Sequence, residues 1–197
     1  MPDLVFATNN PHKLKEAKAI LPAFIRLKSL QDIGCFEELP ETGNTLEANA
    51  LQKARYVYEK YGAPCMADDT GLEVSALGGE PGVYSARYAG PQADPVLNLE
   101  KLLREMKGVP DRQARFRTVI ALMGVGDQRF FEGTVNGAIL EKPVGESGFG
   151  YDPVFIPAGY GQSFSEMSPE LKNALSHRGI ALRSMSAWIE QRLASGF

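Results

Sequence analysis

Pro64-Cys65-Met66-Ala67-Asp68-Asp69-Thr70-Gly71-Leu72-Glu73-Val74-Ser75-Ala76 is the stretch on which the reading of the chain turns. An apolar lead-in runs into two adjacent carboxylates. A glycine follows, and apolar residues then recur at alternate positions, Leu72, Val74 and Ala76, as in a half-buried strand. Two acids at the end of a buried strand carry a large desolvation cost, so a partner is expected there, a divalent metal above all. The competing reading is a turn between strands, where Asp and Gly are ordinary residues. Successive side chains of a strand point to opposite faces, so Asp68 and Asp69 cannot both face one cleft unless the backbone turns at Thr70-Gly71. Otherwise one acid does chemistry and the other holds structure.

Towards the N-terminus, Leu4-Val5-Phe6-Ala7 reads as a strand buried on both faces. It ends in Thr8-Asn9-Asn10-Pro11-His12-Lys13, where Asn10 can cap a helix and Pro11 suits its first position. That helix runs to about Leu21. A strand–turn–helix start of this kind presents free backbone N–H groups to an anion. Lys13 lies where the helix dipole disfavours a cation, a conflict that a bound anion removes. The alternative is an ordinary capped turn with a solvated lysine. No Walker-type glycine pattern is present.

Phe24 to Leu30 suggests a second strand, and Glu37 to Gly43 an acidic loop containing Glu41. A helix follows, capped by Asn44 or Thr45, with Glu47 in capping-box spacing from Asn44. Leu46, Ala50, Ala54, Val57 and Tyr61 share its apolar face, and Gly62 ends it.

Beyond the acid pair comes a Gly/Pro-rich loop, Ala76 to Gly82, then Arg87 between Tyr84 and Tyr88, either a stacking surface or a packed strand edge. Asp94-Pro95 opens a helix with Val96, Leu99, Leu102, Leu103 and Met106 on one side. Arg115 to Met123 alternates cleanly, Gly124 to Asp127 turns the chain, and Phe130 to Leu140 reads as the partner strand of an antiparallel hairpin. The predicted sheet is therefore mixed.

Gly145-Glu146-Ser147-Gly148-Phe149-Gly150-Tyr151-Asp152-Pro153 holds an aromatic between glycines, which fits a stacking platform for a nucleobase or a turn with its Phe in the core. Ser168-Pro169-Glu170 opens the last helical region, with Lys172, His177 and Arg178 ahead of the apolar stripe Leu182, Met185, Trp188-Ile189 and Leu193. That stripe is explained by packing. It leaves Ser176-His177-Arg178-Gly179 unexplained, because two potentially cationic residues there would sit at a helix's positive end.

The 197 residues suit one domain, or a domain with two lobes around a cleft. A formal charge of -3 gives no global basic field, which argues against a general nucleic-acid binder. Cys35 and Cys65 lie in no metal-ligand or redox spacing and suit a reducing compartment. Met1 to Thr8 shows no secretory signal, and no run of about 18 apolar residues exists. A cytoplasmic protein with no membrane span is expected.

In order and spacing, Thr8-Asn9-Asn10-Pro11-His12-Lys13, Glu41-Thr42-Gly43, Ala67 to Leu72, Ala76 to Tyr88, Gly148 to Pro153 and Ser176-His177-Arg178-Gly179 closely resemble the inosine/xanthosine triphosphate pyrophosphatases, nucleotide house-cleaning enzymes, over nearly the whole length. The resemblance implies an α/β fold: a long twisted mixed sheet flanked by helices, two lobes around an active-site cleft, and one ITPase-like domain over 1–197. It implies a homodimer that hydrolyses deaminated purine triphosphates (ITP, dITP, XTP) to the monophosphate and pyrophosphate with Mg²⁺. Carried over by position, Thr8, Asn9, Asn10 and Lys13 would hold the phosphates, in a substrate-binding turn that also includes Pro11 and His12. Glu41 and Asp69 bind metal, and Asp69 is also the general base. Asp68 supports it. Thr70 contacts the substrate. Phe149, Gly150, Tyr151, Asp152, Lys172, His177 and Arg178 enclose and read the base. Thr70, Leu46, Ala48 and Ser75 depart from the family's common serine, phenylalanine, glutamate and aspartate; Thr70 keeps the hydroxyl. The competing functions are a nucleotide phosphatase, a pyrophosphatase of modified pyrimidine triphosphates and a non-catalytic nucleotide sensor.

Overall fold

The computed structural model describes residues 3–195, so Met1 and Pro2 of the expected N-terminal segment lie outside it. In chain order it contains β1 (Asp3–Phe6), α1 (Pro11–Ile20), β2 (Arg26–Lys28), α2 (Leu46–Tyr61), β3 (Cys65–Val74), β4 (Pro81–Gly82), α3 (Pro95–Glu105), β5 (Gln113–Met123), β6 (Arg129–Ile139), β7 (Phe155–Pro157), α4 (Pro169–Leu175) and α5 (His177–Ala194). The seven strands form one sheet in the order β2-β1-β3-β5-β6-β7, with β4 paired to β3. β1 is parallel to β2 and β3, whereas β3/β4 and β6/β7 are antiparallel. The link from Met123 to Arg129 between neighbours β5 and β6 is too short for a parallel crossover. The fold is the expected α/β arrangement, a mixed sheet flanked by helices.

Over the described residues the chain divides into two compact units, one of residues 3–69, 118–133 and 178–195, the other of 70–117 and 134–177. In the first, alternation along the strands builds a core on each sheet face. Leu4, Phe6, Met66, Ile120 and Leu122 pack with α1 and α5 through Ala17, Ala181, Leu182, Met185 and Ile189. Val5, Ala7, Cys65, Ala67 and Ala121 pack on the other face with Ala50, Ala54 and Val57 of α2. In the second unit, Leu72 and Val74 pack with Leu102, Met106, Phe116, Ile139, Phe155 and Phe164.

Several expectations change. β3 neither ends nor turns at the acid pair but runs on to Val74. Gly71 serves a close approach: a Cβ there would lie 2.7 Å from the Gly82 carbonyl oxygen, in the strand paired to β3. Thr45, not Asn44, caps α2 by accepting from the Ala48 N–H, so Glu47 stands two residues on and forms no capping box. Val96 is exposed, because the α3 stripe is buried only from Asn98 onward. Tyr84 to Tyr88 is no strand edge but a turn around a short 3₁₀ helix, with the Arg87 guanidinium 5.2 Å from the Tyr84 ring centre. The last helical region is two helices, broken at Ser176.

Candidate active site

Strand parity sends the two acids to opposite faces. Met66 lies in the α1/α5 core layer and Cys65 and Ala67 in the α2 layer, so Asp68 follows Met66 and Asp69 follows Ala67. The side-chain partners agree. Asp68, wholly buried, accepts from Lys13 Nζ of α1 at 3.0 Å and from Arg178 Nε of α5 at 2.9 Å. Asp69 Oδ2 accepts from Asn49 Nδ2 of α2 at 3.0 Å.

Each acid is then tuned differently. Burial opposes the charge on Asp68, but Lys13, Arg178 and Lys53 outweigh it and hold this carboxyl well below the usual range. For Asp69 burial prevails over Lys53, Lys13 and the Asn49 amide, and its carboxyl rises above the usual range. Adjacent carboxylates pushed apart in this way suit different tasks, a fixed anion and a proton acceptor.

The α1 turn forms as the residue types dictate. Asn10 Oδ1 accepts from the N–H groups of His12 and Lys13, and the Asn10 N–H donates to Thr8 Oγ1. Pro11 occupies the first helical position, where its missing N–H costs nothing. Asn9 is exposed and donates to the Glu37 carbonyl. Burial draws the Lys13 ammonium below the ordinary lysine range against the pull of Asp68.

Arg178, at the start of α5, pairs with Glu16 of α1 as well as with Asp68. Two carboxylates thus offset the dipole conflict visible in the sequence. Glu41, on its loop, is bonded by Lys53 of α2, which also donates to the Asp68 carbonyl at 2.8 Å. Burial works against the charge on Glu41, but Lys53 outweighs it and keeps the carboxyl below its ordinary value. Thr42 and Gly43 are tied to the same helix by Gln52 and Asn49.

In the second unit, Asp152 anchors the glycine loop. It accepts from the Phe149 N–H at 2.7 Å and from Lys172 Nζ at 2.8 Å. Gly148 has φ +83°, and a Cβ there would lie 2.4 Å from Asp152 Oδ2, so glycine is required. The Phe149 ring is half-buried beneath Lys172, whose Nζ sits 4.9 Å from its centre. The Tyr151 ring belongs to the core and its hydroxyl donates to the Ser85 carbonyl at 2.8 Å. His177 stacks on Phe116, ring centres 4.7 Å apart. Thr70, half-buried, follows the acids on β3.

The structure thus brings together Lys13, Glu41, Asp68, Asp69 and Arg178 in one unit, and Phe149, Asp152 and Lys172 in the other. Asn49, Lys53 and Glu16 escaped the sequence reading. The first two were findable: they occupy buried positions of the α2 stripe, where a polar side chain needs a partner.

Among the described residues no three His, Cys, Asp or Glu side chains converge as a metal cage. Mg²⁺ is usually held by one or two carboxylates with substrate phosphates and water, so the pair Glu41 and Asp69, hard oxygen donors within electrostatic reach of each other, fits it. No helix is long and apolar enough to cross a membrane among the described residues.

A family model described as the Ham1 family matches residues 4–188. A dITP/XTP pyrophosphatase of Christiangramia forsetii is 52% identical over 188 residues, covering 95% of this chain and 99% of the relative. One from Bacillus subtilis is 46% identical over 194 residues, 96% and 98% of the two chains. The Ham1 protein of Staphylococcus aureus superposes with a TM-score of 0.86 at 38% identity, over 96% of this chain and 98% of that one. A HAM1 protein of Coxiella burnetii gives 0.88 at 36% identity, over 97% and 100%.

Proposed function

This chain belongs to the Ham1 family, and from that membership we infer that it is a hydrolase of phosphoric anhydrides, a dITP/XTP pyrophosphatase. It takes ITP, dITP and XTP to the nucleoside monophosphate and pyrophosphate, and so clears deaminated purines from the nucleotide pool. One family model spanning both units supports reading 1–197 as a single ITPase-like domain. The resemblance also supports a homodimer. Free, buried Cys35 and Cys65 suit the cytoplasm.

The observation that carries the chemistry is the opposed acid pair. Asp68 is spent on Lys13 and Arg178, whereas Asp69 lies on the opposite face of β3, bonded by the Asn49 amide, with its carboxyl raised by burial in the direction that favours a proton acceptor. Asp69 takes a proton from the water that attacks the α-phosphorus. The N-terminus of α1, with Thr8, Asn9, Asn10, Pro11 and His12, offers its favourable dipole end and the Thr8 and Asn9 side chains to the phosphates, while the Asn10 cap holds the His12 and Lys13 N–H groups. Lys13, aligned by Asp68, adds its charge as pyrophosphate leaves. Glu41 and Asp69 would hold Mg²⁺, which would offset phosphate charge when bound. Thr70 contacts the substrate.

Phe149 offers a stacking face, with Gly150, Tyr151, Asp152, Lys172 and His177 of the same unit enclosing the base, while Arg178 of the other unit is held by Asp68 and Glu16. A donor aimed at a 6-oxo group would meet an amino group if ATP entered, and an unpaired polar group of that kind can cost several orders of magnitude in rate.

Asp69→Asn tests the base. Pyrophosphate release from ITP should fall about 10²–10⁴-fold, measured by coupled pyrophosphate detection, while the folded fraction stays that of wild type. Release at the normal rate refutes the assignment.

A further inference from the structure

We propose that Asn49 is a positioning residue for this reaction: it locks the Asp69 carboxylate in one orientation and ties it to the loop that carries Glu41. The proposal rests on the pyrophosphatase reading.

Asn49 is wholly buried on α2 and makes two bonds of opposite sense. Its Oδ1 accepts from the Gly43 N–H at 2.8 Å, and its Nδ2 donates to Asp69 Oδ2 at 3.0 Å. The orientation of an amide is set by its network, and here the network admits one answer. A backbone N–H can only donate, so the Asn49 oxygen must face Gly43. The amide nitrogen is thereby turned onto Asp69, where only an acceptor fits.

Gly43 makes the approach possible. A Cβ there would lie 2.7 Å from Ala48 Cβ and 2.9 Å from Asn49 Oδ1. Two further side chains of the same helix hold the rest of this loop, Gln52 on Thr42 and Lys53 on Glu41. Positions 49, 52 and 53 are one face of a helix. Asn49 bonds both Asp69 and the loop, so it sets the placement of one proposed metal ligand against the other. Groups one step behind metal ligands commonly change affinity or activity 10–100-fold when removed.

Two variants separate positioning from mere loop support. Asn49→Ala removes both bonds. Asn49→Asp keeps an oxygen for the Gly43 N–H but sets a second oxygen against Asp69 in place of the donor. Three quantities are measured for each: kcat and KM for ITP with Mg²⁺, Mn²⁺ affinity of the nucleotide-free protein by electron paramagnetic resonance, and the melting temperature. Positioning predicts that both variants lose about 10–100-fold in kcat, with KM within a few-fold of wild type. Mn²⁺ binding weakens in parallel, and Asn49→Asp is no better than Asn49→Ala although its loop bond is kept. Wild-type kcat and Mn²⁺ affinity in Asn49→Asp overturn the proposal, as does a loss confined to KM. If the wild-type protein releases no pyrophosphate from any deaminated purine triphosphate, the activity assignment fails. The Mn²⁺ arm still decides the role of Asn49, because unchanged affinity in both variants refutes it.

Discussion

At the level of single residues, the account depends on two neighbours in sequence having unlike surroundings. Asp68 is enclosed with Lys13 and Arg178, and removing one partner of a buried pair leaves the others charged and unpaired. Asp68→Ala should therefore cost about 3–5 kcal/mol in urea unfolding. The sign of its pH dependence follows. The folded carboxyl titrates below its unfolded value, so its stabilisation is fully present above about pH 4. It is lost as pH falls through the lowered folded value. Melting temperatures of wild type and Asp68→Asn should differ most near neutral pH and converge on acidification; a constant gap would contradict this. The split between the acids was legible in the sequence, because strand alternation forbids a shared face. Their partners were less so. Arg178 and Glu16 are 162 positions apart, and no local pattern brings them together. Asn49 and Lys53, by contrast, stood in the apolar stripe of α2 as misplaced polar residues.

Among the elements, the N-terminus of α1 serves both folding and binding, and one position separates the two. Asn10 caps the helix with its side-chain oxygen. Asn10→Ala should destabilise the protein by about 1 kcal/mol and weaken ITP binding. Asn10→Asp keeps the cap and its stability but sets a negative charge beside the phosphates, so KM for ITP should rise while the unfolding midpoint stays put. An unchanged KM in Asn10→Asp would remove the phosphates from this turn. The cap, the proline after it and Gly62 at the end of α2 were readable from residue type alone. The continuation of β3 past the acids was not, since Asp68-Asp69-Thr70-Gly71 carries every mark of a turn. The competing requirement is tertiary: β4 pairs alongside, and Gly71 is there because the Gly82 carbonyl comes so near. Phe149 shows the same limit. Glycines on either side suit a platform or a buried turn; the ring lies half-buried under Lys172 of the Lys172–Asp152 pair, a placement no local pattern predicts.

On the scale of the whole molecule, the fold class followed from alternation: Leu4 and Phe6 face one core layer, Val5 and Ala7 the other. The division into two units left no trace in composition, because no linker joins them. The chain passes from one to the other within β3, β5 and β6 and at the start of α5, inside regular elements that read as continuous patterns. Phosphate and metal chemistry is proposed for residues of the first unit and base recognition for residues of the second, so product identity tests the one and base preference the other. The most direct measurement supplies ITP, XTP, GTP and ATP in turn with Mg²⁺ and quantifies pyrophosphate, orthophosphate and nucleoside monophosphate. The account predicts equimolar pyrophosphate and monophosphate from ITP and XTP, with kcat/KM for ATP lower by about two or more orders of magnitude. Orthophosphate as the product, or equal rates with ITP and ATP, would contradict it.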